Sequence, residues 1–272
     1  MEYKFVGTTI AIKTRRQKSM KKNGLKKLGV FALAAAFAVG VLATSIQPSD
    51  AATTKYQVKK ESYSQEYKLD DGTVYFSVKG KFPTISNNTK AAGKINQALK
   101  KEKNRLIHQY DLEDLKEGYE SQVAYAKEND QSLPLAYGDE IQCKVTANNK
   151  KYFSVMLSGY TYEGGAHGSP YRSCLTFNAK TGEKLTAAKI FGISKKKLND
   201  KVHKLYLAKF DKKGTDAGFY PVTRKEFQED IKTMDFNEYF YVSNDGKVVF
   251  YADPYALGPY ASGYIQVSAA IK

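Results

Sequence analysis

The sequence predicts an α+β fold, with antiparallel sheets packed by helices in two contiguous subdomains. Three observations predict it. Residues 74–79 alternate apolar and polar, and β-type runs recur at 140–146, 152–160 and 171–177. Two stretches, 87–129 and 194–210, place apolar residues at helical spacing. Strands and helices do not alternate in a regular strand–helix rhythm, which argues for α+β over a parallel α/β sheet. The aromatic content agrees: 21 Tyr and 14 Phe with no Trp suit half-exposed β surfaces, where the ring is buried and the hydroxyl stays wet.

Taken in order, residues 56–69 are polar with recurring Tyr, as expected of a solvent-facing strand. Asp70-Asp71-Gly72 is a tight-turn signal. Val74, Phe76 and Val78 form the apolar face of a second strand, so residues 56–82 read as a hairpin. Asn87-Asn88-Thr89 supplies a helix N-cap, followed by Ile95, Leu99, Leu106 and Tyr110 at helical spacing. A second helical stretch, 111–129, carries Leu112, Leu115, Tyr119, Val123 and Tyr125. Asn148-Asn149 turns the next pair of strands, and the segment 178–183 forms another turn. Ser194 caps a helix carrying Leu198, Val202, Leu205 and Phe210, and Thr223–Met234 reads as a short helix. Residues 239–242 and 248–251 flank Asn244-Asp245-Gly246 as a hairpin, and a final strand runs over 264–271. The expected organisation is 1–51 for export, 52–136 for a hairpin-plus-helix domain and 137–272 for a second α+β domain.

Composition bounds the function. The chain has 272 residues, 42% of them hydrophobic, and a net charge of +15. Residues 1–51 hold nine Lys/Arg and two Asp/Glu, which accounts for +7 and leaves +8 for the rest. That remainder is mixed in sign, and no basic run with interleaved aromatics forms a stripe. Nucleic acid is therefore not an expected partner.

The N-terminal charge has its own explanation. Lys13 to Lys27 is a positive region, Leu28–Ala43 is an uncharged apolar run, and 44–51 is polar and ends in small residues. This order describes a secretory signal peptide, with cleavage expected between Ala51 and Ala52. The competing reading is an uncleaved anchor, since 28–46 carries no charge over 19 residues. In both readings the remainder is extracytoplasmic, secreted or envelope-associated, and membrane contact is confined to this segment. Residues 20–24 open a compact signal peptide of their own, so Met20 is a candidate start, supported by Arg15-Arg16, whose codons can spell a ribosome-binding purine run.

Three features are candidate sites. Gly164-Gly165-Ala166-His167-Gly168 allows positive φ angles and close approach of another chain. It reads as a hairpin loop with a locally bonded His167, as a ligand contact through Gly164, Gly165, His167 and Gly168, or as a metal ligand. His108 and His203 fall in helices without ligand spacing, so no metal site and no cofactor are expected. In Pro254–Gly263, prolines and glycines permit extension and bends. Tyr255 and Tyr260 there form either an aromatic contact surface or a bulged crossover packed inward. Cys143 and Cys174 invite a disulfide outside the cytoplasm. If the three strands make a simple meander, two strand spacings of roughly 9–10 Å separate them, beyond the ~7 Å limit. A bulge or another strand order would permit the bond. No nucleophile elbow, paired-carboxylate signature or metal motif is present, so no catalytic residue is expected.

Four stretches resemble a known family: Phe82–Ser86 followed by Ile95-Asn96 and Leu99; Gly164–Gly168; Thr176-Phe177-Asn178 with Thr181-Gly182-Glu183 and Leu185; and Asp245–Phe250 followed by Pro254–Gly263. In this order they resemble the paired extracellular domains of RsiV-type anti-sigma factors, a pair that also precedes the catalytic domain of PdaC-type peptidoglycan deacetylases. The resemblance covers about residues 56–272. It implies an exported, non-catalytic binding or sensor-type module at the cell envelope, with a lysozyme-like protein or peptidoglycan as partner. The expectation departs from both precedents: 27 residues, nine of them Lys or Arg, precede Leu28, and neither a sigma-binding segment nor a deacetylase domain is expected. The alternatives are a peptidoglycan-modifying enzyme or its accessory subunit, and a membrane-anchored anti-sigma factor with a very short cytoplasmic part. A lysozyme-like partner is basic, as this chain is, so docking would need an acidic patch such as Glu113, Asp114, Glu117 and Glu120.

Overall fold

The computed structural model describes residues 55–271. The apolar run, the candidate start at Met20 and the Ala51–Ala52 cleavage site lie outside the described residues. Among the described residues no helix is long and apolar enough to cross a membrane.

The chain begins with β1 (Val58–Lys68) and β2 (Val74–Ile85), the expected hairpin. Helix α1 (Lys90–Ile107) starts at Thr89, whose side chain accepts from the Ala92 amide, and α2 (Leu112–Glu128) is capped by Asp111. Then come β3 (Tyr137–Asn148), β4 (Tyr152–Tyr162) and β5 (Ser169–Asn178). The second half holds α3 (Ala187–Phe191), α4 (Lys195–Lys213), α5 (Arg224–Lys232), β6 (Phe240–Val242), β7 (Lys247–Ala252) and β8 (Ile265–Ala270). Ser194 caps α4, and Thr223 with Glu226 forms a capping box on α5. The α+β class holds.

One expectation needs correcting, that of a purely antiparallel sheet. The first five strands form one sheet in the order β1-β2-β3-β4-β5, and β2 and β3 pair in parallel, with Phe76 opposite Tyr137. The cause is the pair of helices between them. α1 carries the chain back toward the start of β2, where the Tyr75 hydroxyl donates to the Leu112 carbonyl at 3.3 Å. β3 then begins beside the beginning of β2 rather than its end. The five-stranded layer includes strands from both sides of the expected boundary at 136 and 137, because β3 pairs directly with β2. The change of layer comes after β5, where the chain leaves for the three-stranded sheet β6-β7-β8.

One face of the large sheet packs on α1 and α2. Phe76, Val78, Phe82, Ile141, Phe153, Leu157 and Phe177 meet Ile95, Leu99 and Leu106, all buried. Each such side chain contributes about 1.5–3 kcal/mol when fully buried. Asn96 fixes the helix to the strand end: its amide donates to the Ile85 carbonyl, and its side-chain oxygen accepts from the Ile85 amide, both at 2.8 Å. A second core gathers Leu198, Val202, Tyr206, Phe227, Ile231, Phe236 and Phe250. The two layers are stitched together at Ser154, which bonds Thr176 at 2.8 Å and accepts from the Val242 amide at 3.1 Å.

The sheet order decides the disulfide question. Cys143 lies opposite Leu157 and Cys174 opposite Met156. Leu157 and Met156 are neighbours on β4 and point to opposite faces. The two thiols therefore sit on opposite faces with β4 between them, and both are free.

Candidate functional site

The even-numbered residues of β4 and β5 form the face turned away from α1. Tyr160 stands opposite Pro170, and Ser158 opposite Arg172. The loop after β4 carries the glycines. Gly164 and Gly165 have φ of 87° and 86°, values that favour glycine. The Tyr162 hydroxyl donates to the Gly165 carbonyl at 3.2 Å, and the Gly168 amide donates to the Tyr160 hydroxyl at 2.8 Å. A side chain at Gly168 would press on the Tyr160 ring and the Thr161 carbonyl, so the loop closes tightly on β4 and aims His167 outward.

The segment after β7 meets His167 there. Its imidazole stacks on Tyr260 with ring centroids 4.1 Å apart and 23° between planes. The Tyr255 hydroxyl lies 3.3 Å from His167 Nε2, and Nδ1 lies 2.9 Å from the Gly168 carbonyl. Tyr255 and Tyr260 are tilted at 38° with centroids 5.7 Å apart. A hydrogen bond with Tyr160, then burial and the neighbouring phenols, push the Tyr260 hydroxyl up to about 12. Tyr255 is 55% exposed and adopts φ 68°, the left-handed region where a bulky residue costs about 1–2 kcal/mol.

The structure thus joins two stretches that the sequence offered separately. His167, Tyr255 and Tyr260 form one cluster, and Gly164, Gly165 and Gly168 shape the loop that presents it. Tyr160 was missed; its place on the polar parity of β4 is the only signal it gave. Arg172 was missed as well. Its guanidinium lies 3.6 Å from the Tyr264 ring centroid, and its Nε and Nη1, with the Tyr264 hydroxyl, are buried without a hydrogen-bond partner. Burial pushes Asp253 up, an effect that Arg172 opposes. Burial also pushes the Cys174 thiol up to about 12, against a hydrogen bond from Tyr251.

A second feature flanks the loop. A side chain at Gly164 would meet Gln122 of α2. Gln122 lines a shallow depression of about 340 Å³ with Ser121, Tyr125, Ala126 and Pro134. The large hydrophobic side chains left exposed among the described residues are Tyr125, Leu133, Leu135 and Tyr255. Of these, Tyr125 shares the depression with Gln122, and Tyr255 touches His167 of the glycine loop. Another depression of about 300 Å³ lies on the second sheet, around Tyr241, Asp245, Lys247 and Gln266, away from this cluster. Among the described residues no group of three or more His, Cys, Asp or Glu is arranged to hold a metal ion.

Comparison with known proteins now fits the geometry. Residues 69–170 match the family model described as Deacetylase PdaC, and 186–268 match the one described as Protein of unknown function (DUF3298). The chain carries these two domains in tandem. The tandem explains the cluster's composition: His167 comes from the first match, Tyr255 and Tyr260 from the second. Both are typically extracellular or envelope domains. A crystal structure of a DUF3298 family member from Bacteroides fragilis is similar at 20% identity over 80% of this chain and 91% of that one, with a TM-score of 0.53, and supports the fold. A DUF3298 family protein from Pseudomonas aeruginosa is similar at 15% identity over 79% of this chain and 90% of that one, with a TM-score of 0.49. No curated protein matches the chain.

Proposed function

We propose that the tandem is a non-catalytic binding module of the cell envelope, and that the His167–Tyr255–Tyr260 cluster is its ligand-contacting face. Tyr255 carries the reading. It is an exposed aromatic residue held in a strained backbone conformation, and strain of that kind persists at sites where a ligand is gripped. Catalysis has less support. Both ring nitrogens of His167 face a carbonyl and a phenol, and no nucleophile or carboxylate stands beside them in these contacts.

The ligand that fits best is a basic protein such as a lysozyme-like hydrolase. Exposed Tyr125, Leu133 and Leu135 suit a protein surface. Glu113, Asp114, Glu117 and Glu120 are exposed on α2, which supplies an acidic flank to a chain that is otherwise basic. A second reading, cell-wall glycan, is favoured by the paired rings of Tyr255 and Tyr260, which offer a stacking platform.

Pull-down and calorimetry of the purified protein against lysozyme and insoluble peptidoglycan test both. Saturable binding that falls about tenfold or more in Tyr260→Ala supports the module. Binding to neither ligand, or release of acetate or sugar from the wall with loss in His167→Ala, sinks it in favour of the enzyme alternative.

A further inference from the structure

We propose that the chain self-associates through β1, two copies pairing edge to edge in an antiparallel register centred on Tyr63. Among the described residues, β1 ends the five-stranded sheet and pairs only with β2. The Ser86 amide donates to the Gln57 carbonyl at 2.9 Å, so Gln57 directs its backbone groups at the β2 side. In an antiparallel ladder every second residue does the same. Lys59, Glu61, Tyr63, Gln65 and Tyr67 therefore face β2, and the amides and carbonyls of Lys60, Ser62, Ser64 and Glu66 face outward. The Glu66 carbonyl accepts from the side chain of its own neighbour, Gln65, at 3.0 Å. This edge runs the length of the strand, and among the described residues no other strand covers it.

The sequence of β1 is complementary to itself. Outward residues must pair with outward residues. A two-fold axis at Tyr63 sets Ser62 against Ser64 of the second copy, and Lys60 against Glu66, each twice. The two Tyr63 side chains then lie side by side at the axis. Moving the axis by one residue to Ser62 or Ser64 loses both charge pairs, and at Ser64 it sets Lys60 against Lys68. Opposite charges across a ladder favour a register and like charges oppose it. The same charges guard the edge against indiscriminate pairing, which leaves the register centred on Tyr63 as the one the strand favours. Glu66 is not firmly engaged within its own copy: its contact with Lys68 is 3.7 Å, between side chains 45% and 54% exposed. Lys60 donates to the Cys143 carbonyl at 3.0 Å and retains further donors for a partner carboxylate.

The geometry also says what the dimer would do. β1 and β5 are at opposite edges, so pairing through β1 leaves both His167 clusters open and presents them as a bivalent unit. This inference stands whether or not that cluster binds the proposed ligand. One pair of strand edges falls short of the roughly 1,000 Å² typical of stable interfaces, so the expected dissociation constant is on the order of 100 µM.

Sedimentation equilibrium of the purified chain over about 10 µM to 1 mM tests it. A monomer–dimer equilibrium is expected, weakened about tenfold by Glu66→Lys or Lys60→Glu and restored in the double charge swap. Ser64→Pro removes an outward amide that β2 does not use, so it abolishes the dimer while the melting temperature stays close to that of the parent. A monomer at every concentration, or a dimer indifferent to all four variants, overturns the proposal.

Discussion

The imidazole of His167 lies on the ring of Tyr260, 4.1 Å between centroids, while Tyr255 holds the far edge of the imidazole through its hydroxyl at 3.3 Å. Tyr255 reaches that position only by adopting φ 68°. Glycine relieves this strain and removes the ring. Tyr255→Gly is therefore expected to leave stability within about 1 kcal/mol of the parent, on either side, because relief of left-handed strain is set against the entropy of an added glycine. Ligand affinity falls in the same variant. Thermal melts beside binding titrations check it. A large loss of stability would make Tyr255 a structural residue.

The cysteines give a prediction about redox state. Cys143 and Cys174 are both free and face opposite sides of the sheet. Burial pushes both thiols up, Cys174 to about 12. Thiolate is the reactive form, so little of it is present at pH 8. Reductant should leave the melting temperature unchanged. A thiol reagent should titrate both cysteines promptly in denaturant and only slowly in the native protein. A reductant-sensitive melt would refute the sheet order as well as the free thiols.

Much of this fold was legible locally. Alternation at Val74, Phe76 and Val78 marked β2 because one face is buried, and Thr89 and Ser194 announced their helices because a side-chain oxygen there satisfies an otherwise unpaired amide. What stayed hidden was non-local. Alternation tells which face a residue takes and not which strand lies beside it, so the parallel pairing of β2 with β3 left no trace. α3 spans five residues, too few to show a period. Each half of the candidate site was visible as a glycine- or proline-rich stretch. Their meeting, and the part played by Tyr160, depend on how the second sheet packs on the first. The positive φ of Tyr255 has no signature in residue type.

Asp139 carries a prediction about pH. It is buried, accepts from the Tyr171 hydroxyl at 2.6 Å, and burial raises its pKa above 3.8 despite that bond. A carboxyl whose folded pKa is raised disfavours the fold when charged. The penalty is full above the folded pKa and disappears as pH falls toward the unfolded value. Asp139→Asn keeps an acceptor for Tyr171 and cannot ionise. The variant should equal or exceed the parent in stability at pH 8, and the difference should shrink toward pH 4. Asp139→Ala removes the carboxylate that accepts from the Tyr171 hydroxyl and should cost about 1–3 kcal/mol. Urea titrations of both proteins at several pH values decide it, and an Asn variant that falls below the parent as pH rises would contradict the sign.

Two glycines separate packing from propensity. Gly258 anchors the segment that carries Tyr255 and Tyr260: a side chain there would collide with the Gly218 carbonyl oxygen and come within 2.9 Å of Ile265 Cδ1. Neither neighbour yields easily, since one is backbone and the other belongs to a buried residue. Gly258→Ala should destabilise the protein by about 1–3 kcal/mol and, by displacing the segment, weaken ligand binding. Gly93 lies within α1, exposed, with nothing within 4 Å of an added side chain. Gly93→Ala should stabilise by about 0.5–1 kcal/mol, because alanine costs the helix less backbone entropy, and should leave binding unchanged. Chemical denaturation of the two variants, with ligand titrations alongside, tests both signs together. If Gly258→Ala proved neutral, the segment would be free to shift, and the close seat on Gly218 would not be what holds Tyr260 against His167.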